Sequence, residues 1–390
     1  MTRQNLQRIL DEIAQAASQL DRVQLMEVCG THTVSLFRSG LKSLLPPQVR
    51  LISGPGCPVC VTSQAYIDAA CEMALRPGVT LCTYGDMIRV PGRRGSLEQL
   101  RGQGAEIVVV YSARDAVKIA REDPAREVVF LAVGFETTAP ATAAAVLEAD
   151  QAGLPNFLIL PGHKLVVPAI EALLSAGDVP IDGFLCPGHV SVIIGAEAYR
   201  PIVKTYAKPC VVAGFEPPNM LEGIRRLVCQ VADGRAAVEN VYHVAVTDAG
   251  NAVARRWIDE VFEPGPCVWR AMGTIERSGL DLREKYKRFD ALGHFALTLG
   301  PDYEPPGCRC GEMIQGKVAP TQCALFGKEC TPMRPVGPCM VSSEGTCAAW
   351  YKYSRPAGAS PADRPAGSPE GRSGAATCGE EETHVEPAPG

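Results

Sequence analysis

No block of lysine and arginine interrupts this chain of 390 residues, and its net charge is −5. A phosphate backbone would therefore find little to hold. Apolar runs such as Val128 to Val133 fall far short of the ~20 residues a bilayer span requires, so no membrane partner is expected. Neither a Walker P-loop nor a Gly-x-Gly-x-x-Gly fingerprint occurs, which removes the usual cradle for a nucleotide. The chain opens Met-Thr-Arg-Gln and continues as a charged amphipathic pattern, unlike a signal peptide. There is one Cys-x-x-Cys and no second to complete a zinc knuckle.

Cysteine is abundant instead, with sixteen residues. In a chain without a secretion signal they indicate a reducing, cytoplasmic setting in which thiols serve chemistry. A hydrophobic fraction of 46% and a charged fraction of 21% are ordinary for a globular protein. The length exceeds the ~250–300 residues that one core usually serves, so at least two are expected.

Six cysteines crowd into one stretch: Cys308, Cys310, Cys323, Cys330, Cys339 and Cys347. Thiols this dense are usually bridged or bound to metal. The stretch has no histidine, and Pro320, Pro332, Pro335 and Pro338 break it into loops. Single thiolates approaching from several directions suit an iron–sulfur cluster better than zinc or structural disulfides.

Leu6, Ile9, Leu10, Ile13, Ala17 and Leu20 recur at helical spacing, which predicts an N-terminal helix within 1–20. Strands are predicted at Val23–Val28, Val49–Ser53, Val79–Thr83 and Ile107–Tyr111. A second series follows at Val128–Val133, Phe157–Leu160, Gly183–Cys186 and Cys210–Ala213. Helical patterns alternate with them at Ser63–Leu75, Ala139–Ala152, Leu165–Ala176 and Met220–Ala232. The fold class is therefore α/β, with two doubly wound, mainly parallel domains, 21–124 and 125–265, facing a cleft. A small cysteine-rich domain, 266–354, completes the ordered chain. Residues 355–390 are Pro, Ala, Gly, Ser and charge, a composition that predicts a disordered tail and leaves Cys378 incidental.

The distinctive loops each follow a predicted strand, where open α/β sheets bind ligands. In Cys29-Gly30-Thr31-His32-Thr33, a thiol and an imidazole three residues apart share a face if a helix begins there. Such a pair suits a soft metal or a Cys/His nucleophile, while a buried cysteine with a structural histidine is the plainer alternative. In Gly54-Pro55-Gly56-Cys57-Pro58-Val59-Cys60, a dithiol opens a helix whose free amides favour thiolate, and redox exchange is preferred over metal binding. Tyr84-Gly85-Asp86-Met87-Ile88-Arg89 offers Asp86 and Arg89 either to orient a small polar group or as a loop ion pair. Glu136, His163, His189 and Glu216 lie after strands of the second series.

These motifs in this order, with Gly134-Phe135-Glu136-Thr137-Thr138, Pro187-Gly188-His189-Val190-Ser191 and Met340-Val341-Ser342-Ser343-Glu344-Gly345-Thr346-Cys347, resemble the HypD family of hydrogenase maturation factors. The likeness runs from about residue 20 to 353. It implies a scaffold rather than a conventional turnover enzyme, on which the Fe(CN)2CO group of NiFe hydrogenases is assembled. Implied partners are the small chaperone HypC and the cyanide donor HypE, with HypF upstream and the hydrogenase large subunit served indirectly. The resemblance implies a 4Fe-4S cluster on Cys308, Cys323, Cys330 and Cys347, leaving Cys310 and Cys339 as a second dithiol. Cyanide and carbon monoxide favour a soft, electron-rich iron, so the nascent iron is expected on the Cys29 thiolate with His32 nearby, and the working set becomes Cys29, His32, Cys57, Cys60 and Asp86. A stand-alone iron–sulfur thiol–disulfide reductase and a zinc-binding interaction module are the alternatives.

Overall fold

A computed structural model describes residues 2–354. The expected tail, 355–390 with Cys378, lies outside the described residues. Nine strands form two parallel sheets. They are β1 (Val23–Glu27), β2 (Val49–Ser53), β3 (Val79–Thr83), β4 (Ile107–Val109), β5 (Glu127–Gly134), β6 (Phe157–His163), β7 (Gly183–Pro187), β8 (Cys210–Ala213) and β9 (Val238–Asn240). A third, two-stranded sheet pairs β10 (Phe262–Trp269) with β11 (Gly273–Leu282) in antiparallel fashion.

The α/β class and the two parallel sheets agree with the sequence, but the sheets do not follow the expected division at residue 124. One sheet has the order β2-β1-β7-β8-β9 and the other β4-β3-β5-β6. The first two strands thus leave their sequence neighbours, and Leu25 of β1 lies beside Gly183 of β7. Apolar pattern identifies a strand but carries no information about which strand it pairs with.

Each sheet reverses its winding once, between β1 and β7 and between β3 and β5. Such switch points open a crevice at the carboxyl ends of the strands. The Cys29 and His189 loops leave the first crevice, and the Asp86 and Glu136 loops leave the second.

Strand burial explains the near-continuous apolar runs. Along β5 and β6, Val128, Phe130, Phe157 and Ile159 face the helices Ala113–Glu122 and Ala139–Gln151, while Val129, Leu131, Leu158 and Leu160 pack on the opposite face. Both faces are covered, as parallel sheets require. The N-terminal helix, Arg3–Ala17, is capped by Thr2, whose hydroxyl accepts from the Asn5 amide at 3.3 Å. Its Ile9 and Ile13 join Leu25, Leu185 and Val211 in the core beneath the first sheet. No helix among the described residues is long and apolar enough to cross a membrane.

Candidate functional site: a line of buried thiols

Cys29 ends the run from β1 and caps the helix Gly30–Arg38 in an extended conformation. The loop before Cys57 presses directly on it. The Gly30 amide donates to the Gly56 carbonyl at 3.2 Å, and a β-carbon on Gly56 would lie 2.2 Å from the Cys29 nitrogen. Only glycine permits that approach, so the Gly-Pro-Gly of the motif is what brings the two cysteine loops together. Burial, and then the nearby Glu344 carboxylate, push the Cys29 thiol up to about 12 against hydrogen bonds from His32 and Thr31. Free of metal, Cys29 is a neutral thiol. A thiophilic ion would displace its proton.

His32 is fully buried. Its Nε2 lies 3.0 Å from the Gly214 carbonyl, which accepts only if that nitrogen carries the proton. Nδ1 is then a bare lone pair, and it has no hydrogen-bond partner. Burial lowers the ring's pKa to about 4, so it is neutral at physiological pH. Phe215 supports it at 4.8 Å between ring centroids and stacks on His189 at 4.0 Å. A neutral imidazole near a thiol can ligate or support a soft ion.

Cys57 caps the short helix Pro58–Val61, its sulfur accepting from the Cys60 amide at 3.3 Å. Cys60 is fully buried, and burial above all pushes its thiol well above the ordinary range. The expectation that the helix start favours thiolate is overturned at Cys60, because desolvation outweighs a few exposed amides. Cys339 is pushed the other way, its thiol held low by hydrogen bonds from Cys310, Cys347 and Cys60 and by the Cys347 amide. That amide is 3.2 Å from the Cys339 sulfur.

The sulfurs of Cys310, Cys339 and Cys347 lie within 4.8 Å of one another, all buried. The Met313 thioether is 3.0 Å from the Cys347 sulfur. Three thiols and a thioether form a soft donor set, suited to an iron–sulfur centre or another thiophilic metal. Cys308 adjoins Cys310, whose hydrogen bond, together with burial, raises the Cys308 thiol. Gly337 makes room for both, since a β-carbon there would sit 2.5 and 2.6 Å from the two sulfurs. Cys330 receives the Val336 amide at 3.4 Å, and Cys323 is half-buried with its sulfur 3.9 Å from the Gly307 carbonyl.

Asp86 is engaged as an anchor. One carboxylate oxygen accepts from Ser342 Oγ at 3.2 Å, the Ser343 amide at 3.0 Å and Ser343 Oγ at 3.1 Å. Arg89 donates to the Pro332 carbonyl, so it too holds the cysteine-rich region and forms no ion pair with Asp86. His163 is satisfied within the core between Thr142 and Thr138. Glu136 accepts from the Val166 amide at 3.0 Å, and burial lifts its carboxyl to about 7.

Two participants were not legible beforehand. Glu344 accepts from Thr31 Oγ1 at 2.6 Å and so closes the Cys29 loop from the far end of the chain. Glu27, buried beneath Thr33 and Ser53, is raised to about 7 by desolvation against a nearby Lys42. The sequence quotes both residues within or beside motifs but gives neither a partner.

Two parallel sheets, with the Cys29 loop at the switch point of one and a buried group of thiols that could hold a metal, define an α/β protein with a thiol-rich centre. Comparison sharpens the class. Residues 4–354 match the family described as "HypD: Hydrogenase formation hypA family". The chain is 45% identical over 356 residues to the hydrogenase maturation factor HypD of Escherichia coli K12, covering 90% of this chain and 95% of that protein. It is 43% identical over 350 residues to a putative hydrogenase expression/formation protein of Methanocaldococcus jannaschii, covering 90% and 97%. The HypD of Rhizobium leguminosarum bv. viciae is 47% identical over 338 residues, covering 85% and 88%. The chain belongs to the HypD family of hydrogenase maturation factors.

Proposed function

We propose that this chain is the scaffold on which, together with a HypC-type chaperone, the Fe(CN)2CO group of a NiFe hydrogenase is put together in the cytoplasm. The nascent iron, carried as cargo, is held by the Cys29 thiolate, with the His32 Nδ1 lone pair as support. Cyanide arrives as a thiocyanate on the C-terminus of a HypE-type donor, charged by HypF. The observation that carries this reading is the direct packing of the Cys29 loop on the Cys57–Cys60 loop through Gly30 and Gly56.

The chemistry requires such a neighbour. Releasing cyanide from a thiocyanate takes two electrons, and a dithiol supplies them: RSCN + 2 R′SH gives RSH, CN⁻, R′S–SR′ and H⁺. The new S–S bond forms as the S–CN bond breaks, and cyanide goes to iron. Cys57 and Cys60 are the dithiol assigned to this step. Cys339, whose thiol is held low, is assigned to reopen their disulfide through Cys60, with Cys310 as its resolving partner. Cys308, Cys323, Cys330 and Cys347 would hold a 4Fe-4S cluster, which when bound supplies electrons for resetting the dithiols.

The test is infrared spectroscopy of the anaerobically purified complex with HypC. Cys29→Ala should lose the CN and CO bands while the cluster remains. Cys29→Ser should do little better, because a hydroxyl is harder and far less acidic. His32→Ala should weaken the bands. Unchanged bands in Cys29→Ala would move the iron elsewhere.

A further inference from the structure

Away from this line of thiols, Lys164 and Cys267 face each other. Lys164 follows β6, and its side chain is 3% exposed. Its ammonium donates to the Val268 carbonyl at 2.8 Å and to the Cys267 sulfur at 3.0 Å. The remaining direction lies toward the Trp269 ring, 5.2 Å from its centroid. Among the described residues no carboxylate forms an ion pair with it. A buried lysine normally has one, so the sulfur occupies the place of the counter-group.

The backbone is arranged to make this contact. β10 carries an irregularity between Gly265 and Cys267, which re-aims the following side chain. Across the hairpin stands Gly279, where a β-carbon would lie 2.7 Å from the Cys267 β-carbon. Gly279 also bridges to Lys164. Two glycines and a bulge therefore give the Cys267 side chain room beside the amine. Cys267 is partly exposed, unlike most cysteines among the described residues, and is the more open of the two partners to a small oxidant.

We propose that Lys164 and Cys267 are a redox-modifiable pair that a hydroperoxide joins covalently. In the first step the thiol takes one oxygen: RSH + H2O2 gives RSOH + H2O. In the second the amine attacks the sulfenic sulfur: RSOH + R′NH3⁺ gives RS–NHR′ + H2O + H⁺. The S–O bond breaks, the S–N bond forms, and the released proton goes to solvent. Sulfenic acids condense in this way with a nitrogen held close by. Here the amine is already in contact and burial shields it from competing groups.

The cross-link would staple the end of β6 to β10. The adjoining residues support the cysteine loop, since Trp269 bridges to Thr62 and the Arg270 amide donates to the Val61 carbonyl at 3.0 Å. Oxidation at Cys267 would thereby fix the platform beneath Cys60 without consuming a thiol of the working line.

The test uses the full chain, purified anaerobically, treated with stoichiometric hydrogen peroxide and digested without reductant. Mass spectrometry should find the Cys267 and Lys164 peptides joined at a mass two hydrogens below their sum. Trypsin should fail to cut after Lys164, and dithiothreitol should restore both peptides. Cys229, also partly exposed, should show no such linkage and serves as an internal control. Lys164→Arg should lose the cross-link while Cys267 is trapped as sulfenic acid by a dimedone reagent. Cys267→Ala should leave Lys164 cleavable in oxidised protein. Sulfinic acid at Cys267 with Lys164 free in the wild-type protein would overturn the proposal, as would an unmodified Cys267; neither depends on a variant folding.

Discussion

Thr31 and Glu344 are joined by a hydrogen bond of 2.6 Å from hydroxyl to carboxylate. It ties the helix that Cys29 caps to the turn just before the helix that bears Cys347. The backbones meet just as closely, since a β-carbon on Gly30 would lie 2.6 Å from the Glu344 carbonyl oxygen. The carboxylate also raises the Cys29 thiol. Removing its charge in Glu344→Gln should therefore lower that pKa and speed Cys29 alkylation at fixed pH under mild opening conditions. Thr31→Val should cost about 1–3 kcal/mol in denaturant unfolding, the usual range for a lost bond to a charged group. An unchanged alkylation profile in Glu344→Gln would detach Glu344 from Cys29.

Cys339 should be the buried thiol that reacts first. Its hydrogen bonds lower its pKa, which favours its thiolate below the ~8.5 of a free cysteine, whereas burial pushes the Cys29 and Cys60 thiols up. Brief alkylation near neutral pH, read by peptide mass spectrometry, should mark Cys339 ahead of both. Cys339→Ser should leave an oxidised Cys57–Cys60 pair unable to be reset by Cys310. Equal labelling of all three would remove Cys339 from the relay.

The cluster assignment divides the six clustered cysteines in a testable way. Alanine at Cys308, Cys323, Cys330 or Cys347 should each lower bound iron and acid-labile sulfide, whereas Cys310→Ala and Cys339→Ala should retain them. The competing assignment is a centre on Cys310, Cys339 and Cys347, whose sulfurs lie within 4.8 Å of one another. Full retention in Cys323→Ala with loss in Cys310→Ala would select it.

Much of this arrangement was legible in the sequence, for local reasons. β3 and β8 fall where apolar runs placed them, because a strand covered on both faces needs such a run. The loops of Cys29 and Cys57 announce themselves through glycines that a close approach requires. What escaped is non-local. The pairing of β1 with β7 and the contact of Cys60 with Cys339 join residues far apart in the chain. β10 was missed because its alternation is broken by Pro264, Gly265 and Pro266, and its hairpin partner β11 was missed with it. Asp86 looked like a candidate for chemistry because an acid after a strand reads alike whether it meets a ligand or, as here, two serines of a distant loop.

Buried ionisable groups should give the fold opposing pH dependences. His32 and His163 are lowered from 6.5 to about 4 by burial. Their contribution is present above 6.5 and lost as pH falls through 4. Glu27 and Glu136 are raised from 4.5 to about 7, again by burial. Their contribution is fully present below 4.5 and lost as pH rises through 7. Between about 4.5 and 6.5 the two pairs pull in opposite directions, and the wild-type stability should change little. Glu136→Gln separates them. Its amide oxygen can still accept from the Val166 amide, as Glu136 does at 3.0 Å, but it cannot ionise. The variant should therefore gain on the wild type as pH rises from 4.5 to 7, by roughly 1–3 kcal/mol at the upper end. Urea unfolding of both proteins across that range measures the difference. A gap that stays constant with pH would mean that Glu136 ionises normally and that its unpaired oxygen meets water.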